Sequence, residues 1–198
     1  MSIDNIIFLI LVGVIFIYIL LGIIRSLRLV PARMEFIVER FGRYRNTLDA
    51  GFHFLIPFID KVAFIQDLKE HTMDVPPQTC FTKDEIQVEV DGVIYLQVVD
   101  SQKASYGITD FEYASIQLAQ TSTRAIIGTL DLDRTFEERE AISGKVVSVL
   151  DNAAAKWGVK ILRFEIKNLV PPESVRQSME KQVTAERNRR ATLEKSVG

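Results

Sequence analysis

The chain has 198 residues, of which 47% are hydrophobic and 25% are charged, and its formal net charge is −2. All 24 Lys and Arg residues follow residue 24, together with 25 of the 26 acidic residues, so the body lacks the basic footprint of a nucleic-acid-binding protein. The single cysteine, Cys80, excludes an internal disulfide and indicates a reducing compartment.

The first predicted element is a membrane-spanning helix over Ile6–Ile24, a run of nineteen residues without a charge. At about 1.5 Å per residue, such a helix covers about 28 Å, close to the thickness of a bilayer's hydrocarbon core. A cleaved signal peptide would have a basic start and a small-residue cleavage site. The sequence has neither, so residues 1–30 are predicted to be a retained anchor. Its candidate membrane-facing residues are Ile6, Leu9, Phe16, Tyr18, Leu20 and Ile24.

Basic residues flank the predicted span on one side only. Arg25, Arg28 and Arg33 follow it, whereas Asp4 precedes it. Because cytoplasmic flanks are enriched in Lys and Arg, the N-terminus is predicted to lie outside and the body in the cytoplasm.

Residues 31–98 are predicted to form an antiparallel, β-rich subdomain next to the membrane. The predicted strands are Met34–Tyr44, ending near Gly42, then Val62–Leu68 and Ile86–Val98. Pro76-Pro77 is expected to interrupt a further strand. Apolar residues alternate with polar ones throughout Ile86–Val98. Asp91-Gly92 within that run is either a hairpin turn or a bulge in one long strand.

An unusually apolar segment, Gly51–Asp60, lies between the first two of these strands despite its glycine and proline. Its large apolar side chains cannot all point into one thin core. The segment is therefore either a loop tucked under the sheet or an edge that contacts the membrane surface, where aromatic rings are favoured. His53 is interpreted as a loop hydrogen-bonding residue. The candidate membrane-surface residues are Phe52, Phe54, Leu55, Ile56, Phe58 and Ile59.

Residues 99–170 are predicted to form an α+β subdomain in the order helix, helix, strand. The first helix covers Phe111–Ile127 and is predicted to end at Gly128. The second begins at a capping box, Thr135–Glu138, and ends at Gly158. Its predicted apolar face consists of Ile142, Val146, Val149, Ala153 and Trp157. The strand that follows is predicted to bury Leu162, Phe164 and Ile166.

Residues 171–198 are predicted to begin a long polar helix, since Pro171-Pro172 ends the preceding strand and few large apolar residues follow. A helix this polar either stands in solvent or lies beside copies of itself in an assembly. The candidate oligomer-interface residues are Arg176, Glu180, Glu186, Arg187, Arg190 and Glu194.

No catalytic motif is found in the sequence. It lacks a phosphate-binding loop, a nucleophile elbow and a zinc-binding helix. Its two histidines cannot form a zinc site without carboxylates. Cys80 is interpreted as an ordinary strand residue. The protein is therefore predicted not to be an enzyme and to need no cofactor.

Seven features of the sequence follow one another in a characteristic order. They are Met34–Arg43, Gly51–Asp60, Thr82–Asp84 with Val90–Tyr95, Arg124–Gly128, Trp157-Gly158, Val170–Pro172, and Ala185–Arg187 with Arg190-Ala191. Together they resemble the SPFH or band 7 family, which contains stomatins, prohibitins, flotillins and the HflK-HflC proteins. Within the family, the chain resembles the bacterial paraslipins, or QmcA-like group.

The resemblance implies a scaffold of the bacterial inner membrane. Such proteins form large rings or cages, with the apolar loop at the lipid surface and long helices aligned between neighbouring subunits. The expected partners are membrane lipid, further copies of the chain and a membrane protease such as an AAA protease. A longer helical tail is also expected. The alternative is a monomeric, membrane-tethered adaptor that binds one protein partner, and particle size distinguishes the two.

Overall fold

The computed structural model describes residues 3–178, 181, 184 and 185, without the side chains of residues 3–10, 19 and 25. The helices are α1 (Ile3–Ser26), α2 (Ser101–Tyr106), α3 (Phe111–Ile127), α4 (Leu132–Glu137) and α5 (Arg139–Ala154). The strands are β1 (Leu27–Val30), β2 (Met34–Arg40), β3 (Arg43–Leu48), β4 (Gly51–Phe54), β5 (Asp60–Asp67), β6 (Glu70–Phe81), β7 (Gln87–Val98) and β8 (Val159–Val170). Residues 173–178 are also helical. This mixture confirms the predicted α+β class.

The chain divides into two compact units. The first contains the residues up to His71, with Gln97–Phe111 and Ala154–Lys160. The second contains Thr72–Leu96, Glu112–Ala153 and the residues from Ile161 onward. Whether residues 31–98 and 99–170 fold as separate domains stays a prediction.

Helix α1 covers the whole of the segment predicted to span a membrane, since it runs from Ile3 to Ser26. Among the residues that the structure describes, however, no helix combines the length and the hydropathy that crossing a membrane requires. The predicted span at Ile6–Ile24 therefore stays a prediction.

The first unit contains a two-stranded ribbon, β1-β4, and a three-stranded antiparallel sheet with the order β3-β2-β5. Phe41 and Gly42 connect β2 to β3 with φ values of 52° and 74°. Positive φ at both positions is typical of a tight two-residue hairpin turn. The strand predicted over Met34–Tyr44 therefore ends at Arg40, and a new strand begins at Arg43.

A small apolar cluster, the core cluster, forms part of the core of the first unit. Val30, Val38, Leu48 and Leu55 are buried in it, and Met34, Phe36 and Val62 pack against it. The ribbon contributes Val30, while β2 and β3 contribute Val38 and Leu48. Burial of these side chains ties the ribbon to the sheet.

Helix α2, which was not predicted, packs against β2 and β5 within the same unit. The Asp100 side chain accepts a hydrogen bond from the Lys103 backbone N–H at 3.0 Å, so it caps the helix N-terminus. At the other end, the Tyr106 hydroxyl donates to Glu39 Oε1 at 2.8 Å. The N-cap aspartate was the signal in the sequence for this short helix.

The second unit is built on a sheet with the order β6-β7-β8. Strand β7 is continuous through Asp91-Gly92, and every second residue from Val88 to Val98 is buried. Of the two alternatives left open for Asp91-Gly92, the hairpin turn is therefore wrong. A Cβ atom on Gly92 would lie 2.7 Å from the backbone oxygen of Glu165, so glycine permits this close approach.

The expected interruption at Pro76-Pro77 is also wrong, since β6 runs from Glu70 to Phe81 without a break. This strand is at the edge of its sheet, where a proline without a backbone N–H is tolerated. Gln78 and Gln120 attach β6 to α3. The Gln78 side chain donates to the Gln120 backbone oxygen at 2.8 Å, and the Gln120 side chain donates to the Pro76 backbone oxygen at 3.3 Å.

Helix α3 has the predicted bounds, but the capping box at Thr135–Glu138 is wrong. Thr135 is buried inside α4, and its hydroxyl donates to the Asp131 backbone oxygen at 2.9 Å. The long helix α5 begins at Arg139 instead. Helix α5 ends at Ala154, four residues before the predicted stop, and continues into a 3-10 turn, Ala155–Trp157. Gly158 then ends this turn in the left-handed conformation, with φ 70°.

The predicted buried faces of α5 and β8 need correction. In α5 the buried residues recur at every fourth position, Ile142, Val146 and Leu150, whereas Val149 is exposed and Trp157 lies beyond the helix in a 3-10 turn. In β8, the consecutive residues Leu162 and Arg163 are both exposed. The buried positions are therefore odd-numbered before this point, as at Ile161, and even-numbered directly after it, at Phe164. The buried residues of β8 are Val159, Ile161, Phe164 and Leu169.

Candidate membrane-contact site

The ribbon carries four large apolar side chains on one face. Strands β1 and β4 pair antiparallel with Leu27 opposite Phe54 and Leu29 opposite Phe52. Opposite residues share a face, and so do residues two apart on one strand. We call Leu27, Leu29, Phe52 and Phe54 the apolar ribbon face. Their residues are 43%, 74%, 66% and 59% exposed.

The other face of the ribbon holds it to the unit. Val30, opposite Gly51, is buried in the core cluster. Arg28 and His53 form the remaining pair on that face, and the ring of His53 is hydrogen-bonded through Nε2 to the Asp49 backbone oxygen at 2.8 Å. His53 is thus hydrogen-bonded, as interpreted, but it lies in strand β4 and not in a loop. On this face Val30 packs into the core cluster, whereas all four side chains of the apolar ribbon face are exposed.

The turn after β4 is attached to both α1 and β5. The Leu55 backbone N–H donates to the Ser26 backbone oxygen at 2.9 Å. The carboxylate of Asp60 accepts from the Ile56 N–H at 2.9 Å and from the Arg40 guanidinium at 2.7 and 3.1 Å. These hydrogen bonds, that from Arg40 above all, lower the pKa of Asp60 below its usual range. Asp60 is therefore ionised at neutral pH and fixes the turn.

Phe58 extends the exposed apolar surface from the ribbon to α1. It has φ 66°, which is rare for a residue with a bulky side chain, and it is 73% exposed. Its ring stacks on that of Tyr18, with centroids 5.5 Å apart and planes inclined by 18°. The turn therefore holds a strained aromatic residue outward, beside the helix.

The structure separates the six predicted membrane-surface residues into two groups. Phe52, Phe54, Ile56, Phe58 and Ile59 are exposed, whereas Leu55 is only 7% exposed and belongs to the core cluster. Sequence reasoning missed Leu27 and Leu29. Their alternation in Leu27-Arg28-Leu29 was visible, but only the pairing with β4 places them beside the phenylalanines.

The residues predicted for the anchor and for topology are described in part. In α1, Phe16, Tyr18, Leu20 and Ile24 are exposed, while the side chains of Ile6 and Leu9 lie outside the described residues, as does that of Arg25. Arg28 and Arg33 are exposed, and Arg33 has φ 66°.

Of the predicted oligomer-interface residues, the structure describes Arg176 alone. Its guanidinium contacts the Glu173 carboxylate at 2.6 Å, three residues earlier in the same helical stretch. Glu180, Glu186, Arg187, Arg190 and Glu194 lie outside the described residues.

A site for chemistry does not emerge from the described residues. Among them, no group of three or more His, Cys, Asp or Glu side chains could hold a metal ion. Cys80 is buried in β6, and this burial raises the pKa of its thiol above the usual value. The most distinctive surface feature is thus the apolar ribbon face with Phe58.

Comparison with known proteins identifies the family of this chain. Residues 28–197 match the SPFH domain / Band 7 family. Stomatin-like protein 2, mitochondrial, of Homo sapiens is 44% identical over 169 residues, which cover 85% of this chain and 48% of that protein. Stomatin-like protein stl-1 of Caenorhabditis elegans is 41% identical over 85% of this chain and 52% of its own length. An uncharacterised protein of Methanocaldococcus jannaschii is 38% identical over 96% of this chain and 94% of its own length.

The chain therefore belongs to the SPFH domain / Band 7 family, and the predicted family resemblance is confirmed. It spans about half the length of the stomatin-like relatives that it matches. Its predicted closeness to the bacterial paraslipins stays a prediction.

Proposed function

We propose that this protein is a membrane-anchored scaffold that contacts the lipid surface through the apolar ribbon face and assembles into a large ring or cage. The observation that carries the proposal is the row of four exposed apolar side chains on a ribbon whose other face buries Val30 in the core cluster. Members of the SPFH family are in general membrane-associated scaffolds, and this supports the same function here.

The connection between α1 and the ribbon supports a lipid-facing position. Helix α1 ends at Ser26, and β1 begins at the next residue, Leu27. No linker separates them, and the four residues of β1 extend only about 13 Å at about 3.3 Å per residue. If α1 is inserted in a bilayer, as the uncharged sequence Ile6–Ile24 favours, the ribbon must lie at the bilayer surface.

The exposed area of the ribbon supports the same position. Phe52 and Phe54 are 66% and 59% exposed. They leave roughly 250 Å² in contact with water, from about 200 Å² for one phenylalanine side chain. At about 25 cal/mol per Å², full transfer of this area out of water would release about 6 kcal/mol. Contact with the lipid surface would release a part of that, without any rearrangement of the packed face.

The assembly part of the proposal rests on the sequence of the polar helix and on the family. The described start of that helix, residues 173–178, is exposed apart from Val175 and holds the Arg176–Glu173 ion pair within itself. We further propose that the N-terminus lies outside a bacterial inner membrane with the body in the cytoplasm. We also propose that the assembled ring modulates a membrane protease, because a protease enclosed by the ring would have restricted access to its substrates.

The alternative function, a tethered adaptor that binds one protein, is favoured by a groove in the second unit. The groove lies between α5 and the edge strand β8 and has a volume of about 590 Å³. Ser143 and Val147 line one side, and Leu162 and Phe164 line the other. An edge strand beside a groove can accept an extended peptide as an additional strand.

Fluorescence quenching tests the membrane contact. The full chain carrying Phe54→Cys, labelled with an environment-sensitive fluorophore, is reconstituted into vesicles that contain spin-labelled phosphatidylcholine. Val149→Cys on α5, also exposed, is the matched control, and buried Cys80 does not react in the folded protein. We expect quenching at position 54 to exceed that at position 149 at least twofold. Equal quenching at the two positions would contradict the proposal.

Particle size tests the assembly and separates it from the adaptor. The detergent-solubilised full chain should form a very large particle in electron micrographs, and reversal of charge by Arg187→Glu with Arg190→Glu should reduce it. A small particle in the unmodified protein would favour the adaptor. An unchanged particle in the double variant would show that these residues do not form the interface.

A further inference from the structure

A cavity lies within the first unit, at the end of α1 and beside Phe58. Its volume is about 350 Å³, and it is lined by the end of α1, by β1 and β5, and by the turn after β4. Phe58 lines the cavity and is also part of the exposed apolar surface. The cavity is therefore continuous with the surface that we propose to face the lipid.

The charges around the cavity favour an anion. Arg28 and Lys61 both line it, both are exposed, and neither has an ion-pair partner in the part of the chain that the structure describes. Asp60 also lines it, but both of its carboxylate oxygens accept hydrogen bonds from Arg40, and one also accepts from the Ile56 N–H. Its negative charge is therefore compensated by Arg40. Two cations remain for a ligand from outside.

The walls of the cavity favour a ligand that is partly apolar. Leu55, Pro57, Phe58 and Val62 contribute apolar surface, whereas Ser26 contributes a hydroxyl oxygen. The Ser26 hydroxyl already donates to the Gly22 backbone oxygen at 2.9 Å. A free phosphate ion would meet the two cations but would leave the apolar walls unused.

We propose that this cavity binds the phosphate head group of an anionic phospholipid, with Arg28 and Lys61 on the phosphodiester and the apolar walls around the start of the acyl chains. The inference rests on the proposed membrane contact, since the lipid must reach the cavity from the bilayer surface. Each Lys or Arg near a membrane surface raises the affinity for anionic lipid about fivefold. Two such residues together should raise this affinity about thirtyfold.

Calorimetric titration of the full chain in a neutral detergent tests the site. The probes are short-chain phosphatidylglycerol, short-chain phosphatidylcholine and inorganic phosphate. The test variant is Arg28→Gln with Lys61→Gln. The matched control is Arg43→Gln with Lys83→Gln, which removes the same charge from two exposed positions outside the cavity. All four residues are exposed, so the variants are expected to fold.

We expect phosphatidylglycerol to bind more tightly than the other two probes. Its affinity should fall about thirtyfold in the test variant and less than twofold in the control. Equal losses in both variants would overturn the site, because they would indicate a general effect of charge. Equal affinity for inorganic phosphate, or for phosphatidylcholine, would overturn the assignment to an anionic lipid. The quenching at position 54 does not depend on this cavity, so failure here leaves the proposed membrane contact intact.

Discussion

Two glycine-to-alanine substitutions in the second unit should change stability in opposite directions. Gly92 lies in the middle of β7, where a Cβ atom would be 2.7 Å from the Glu165 backbone oxygen and 2.9 Å from the buried ring of Phe164. Gly144 lies within α5, and a Cβ atom there would have no heavy atom within 4 Å. The same chemical change therefore meets a packed wall at one site and open space at the other.

The expected magnitudes follow from these contacts. Gly92→Ala must displace β8 or the Phe164 ring, and overpacking of this kind costs about 1–3 kcal/mol. Gly144→Ala removes a flexible residue from a helix interior and should stabilise the protein by about 0.5–1 kcal/mol. For a chain of this size, 1 kcal/mol corresponds to roughly 2–4 °C in Tm. We expect a decrease of about 2–12 °C for Gly92→Ala and an increase of about 1–4 °C for Gly144→Ala.

Thermal unfolding of the two full-chain variants, followed by circular dichroism in one detergent, provides the measurement. A double variant, Gly92→Ala with Phe164→Leu, tests the cause. If the ring is the obstacle, the smaller side chain should recover part of the loss, and the two substitutions should not be additive. Equal Tm values for the two single variants would refute the continuous β7 and its contact with β8.

Three further predictions concern single side chains of the first unit. Because Arg40 lowers the pKa of Asp60, the stability that this carboxylate contributes is complete above its unfolded pKa of about 4 and is lost as the pH falls through the lower folded pKa. Asp60→Asn should therefore lower Tm at pH 7, and its effect should become smaller as the pH falls below about 4. Burial and the hydrogen bond to Glu39 raise the pKa of Tyr106 to about 12. Its contribution is thus complete below pH 10 and lost as the pH rises to 12, and Tyr106→Phe should remove the phenolate absorbance change near pH 12. Phe58→Gly should relieve the positive φ and stabilise the fold by about 1 kcal/mol, yet reduce quenching by spin-labelled lipid at position 54.

The sequence predicted best those elements whose burial follows a regular period. In β7 every second residue is buried from Val88 to Val98, so the alternation of apolar residues predicted the strand. Helix α3 ends at Ile127, so Gly128 predicted the end of the helix. The errors arose where tertiary context overrode a local signal. Pro76-Pro77 is accommodated because β6 lies at a sheet edge, a position that no local pattern reveals. Thr135 matched a capping box but bonds backward to Asp131 inside α4.

The candidate site was predictable only in part, for a physical reason. The apolar composition of Gly51–Asp60 was enough to predict an exposed surface. Five of the six predicted residues, all but Leu55, are indeed exposed. Composition cannot tell which member of the run enters the core. Nor can it pair β1 with β4, which are separated by two further strands along the chain. Leu29 lies beside Phe52 because of the register in which the two strands pair, and hydropathy alone does not determine that register.

The exposure of the apolar ribbon face has no explanation in the folding of the described chain. An isolated two-stranded ribbon is marginally stable, so the ribbon must be held by its packed side, and Val30 in the core cluster supplies that contact. The outward side adds nothing to this packing. Leu29→Ser or Phe52→Ser should therefore change Tm by less than about 2 °C, since substitutions at exposed positions usually change stability by less than about 0.5 kcal/mol. A patch of several hundred Å² that is neutral for stability, yet unfavourable in water, indicates a surface that is covered in the working protein. Its direct connection to α1 favours lipid as the cover. If the serine variants unfolded at a much lower temperature, the ribbon face would instead be part of the core, and the argument for a lipid contact would fail.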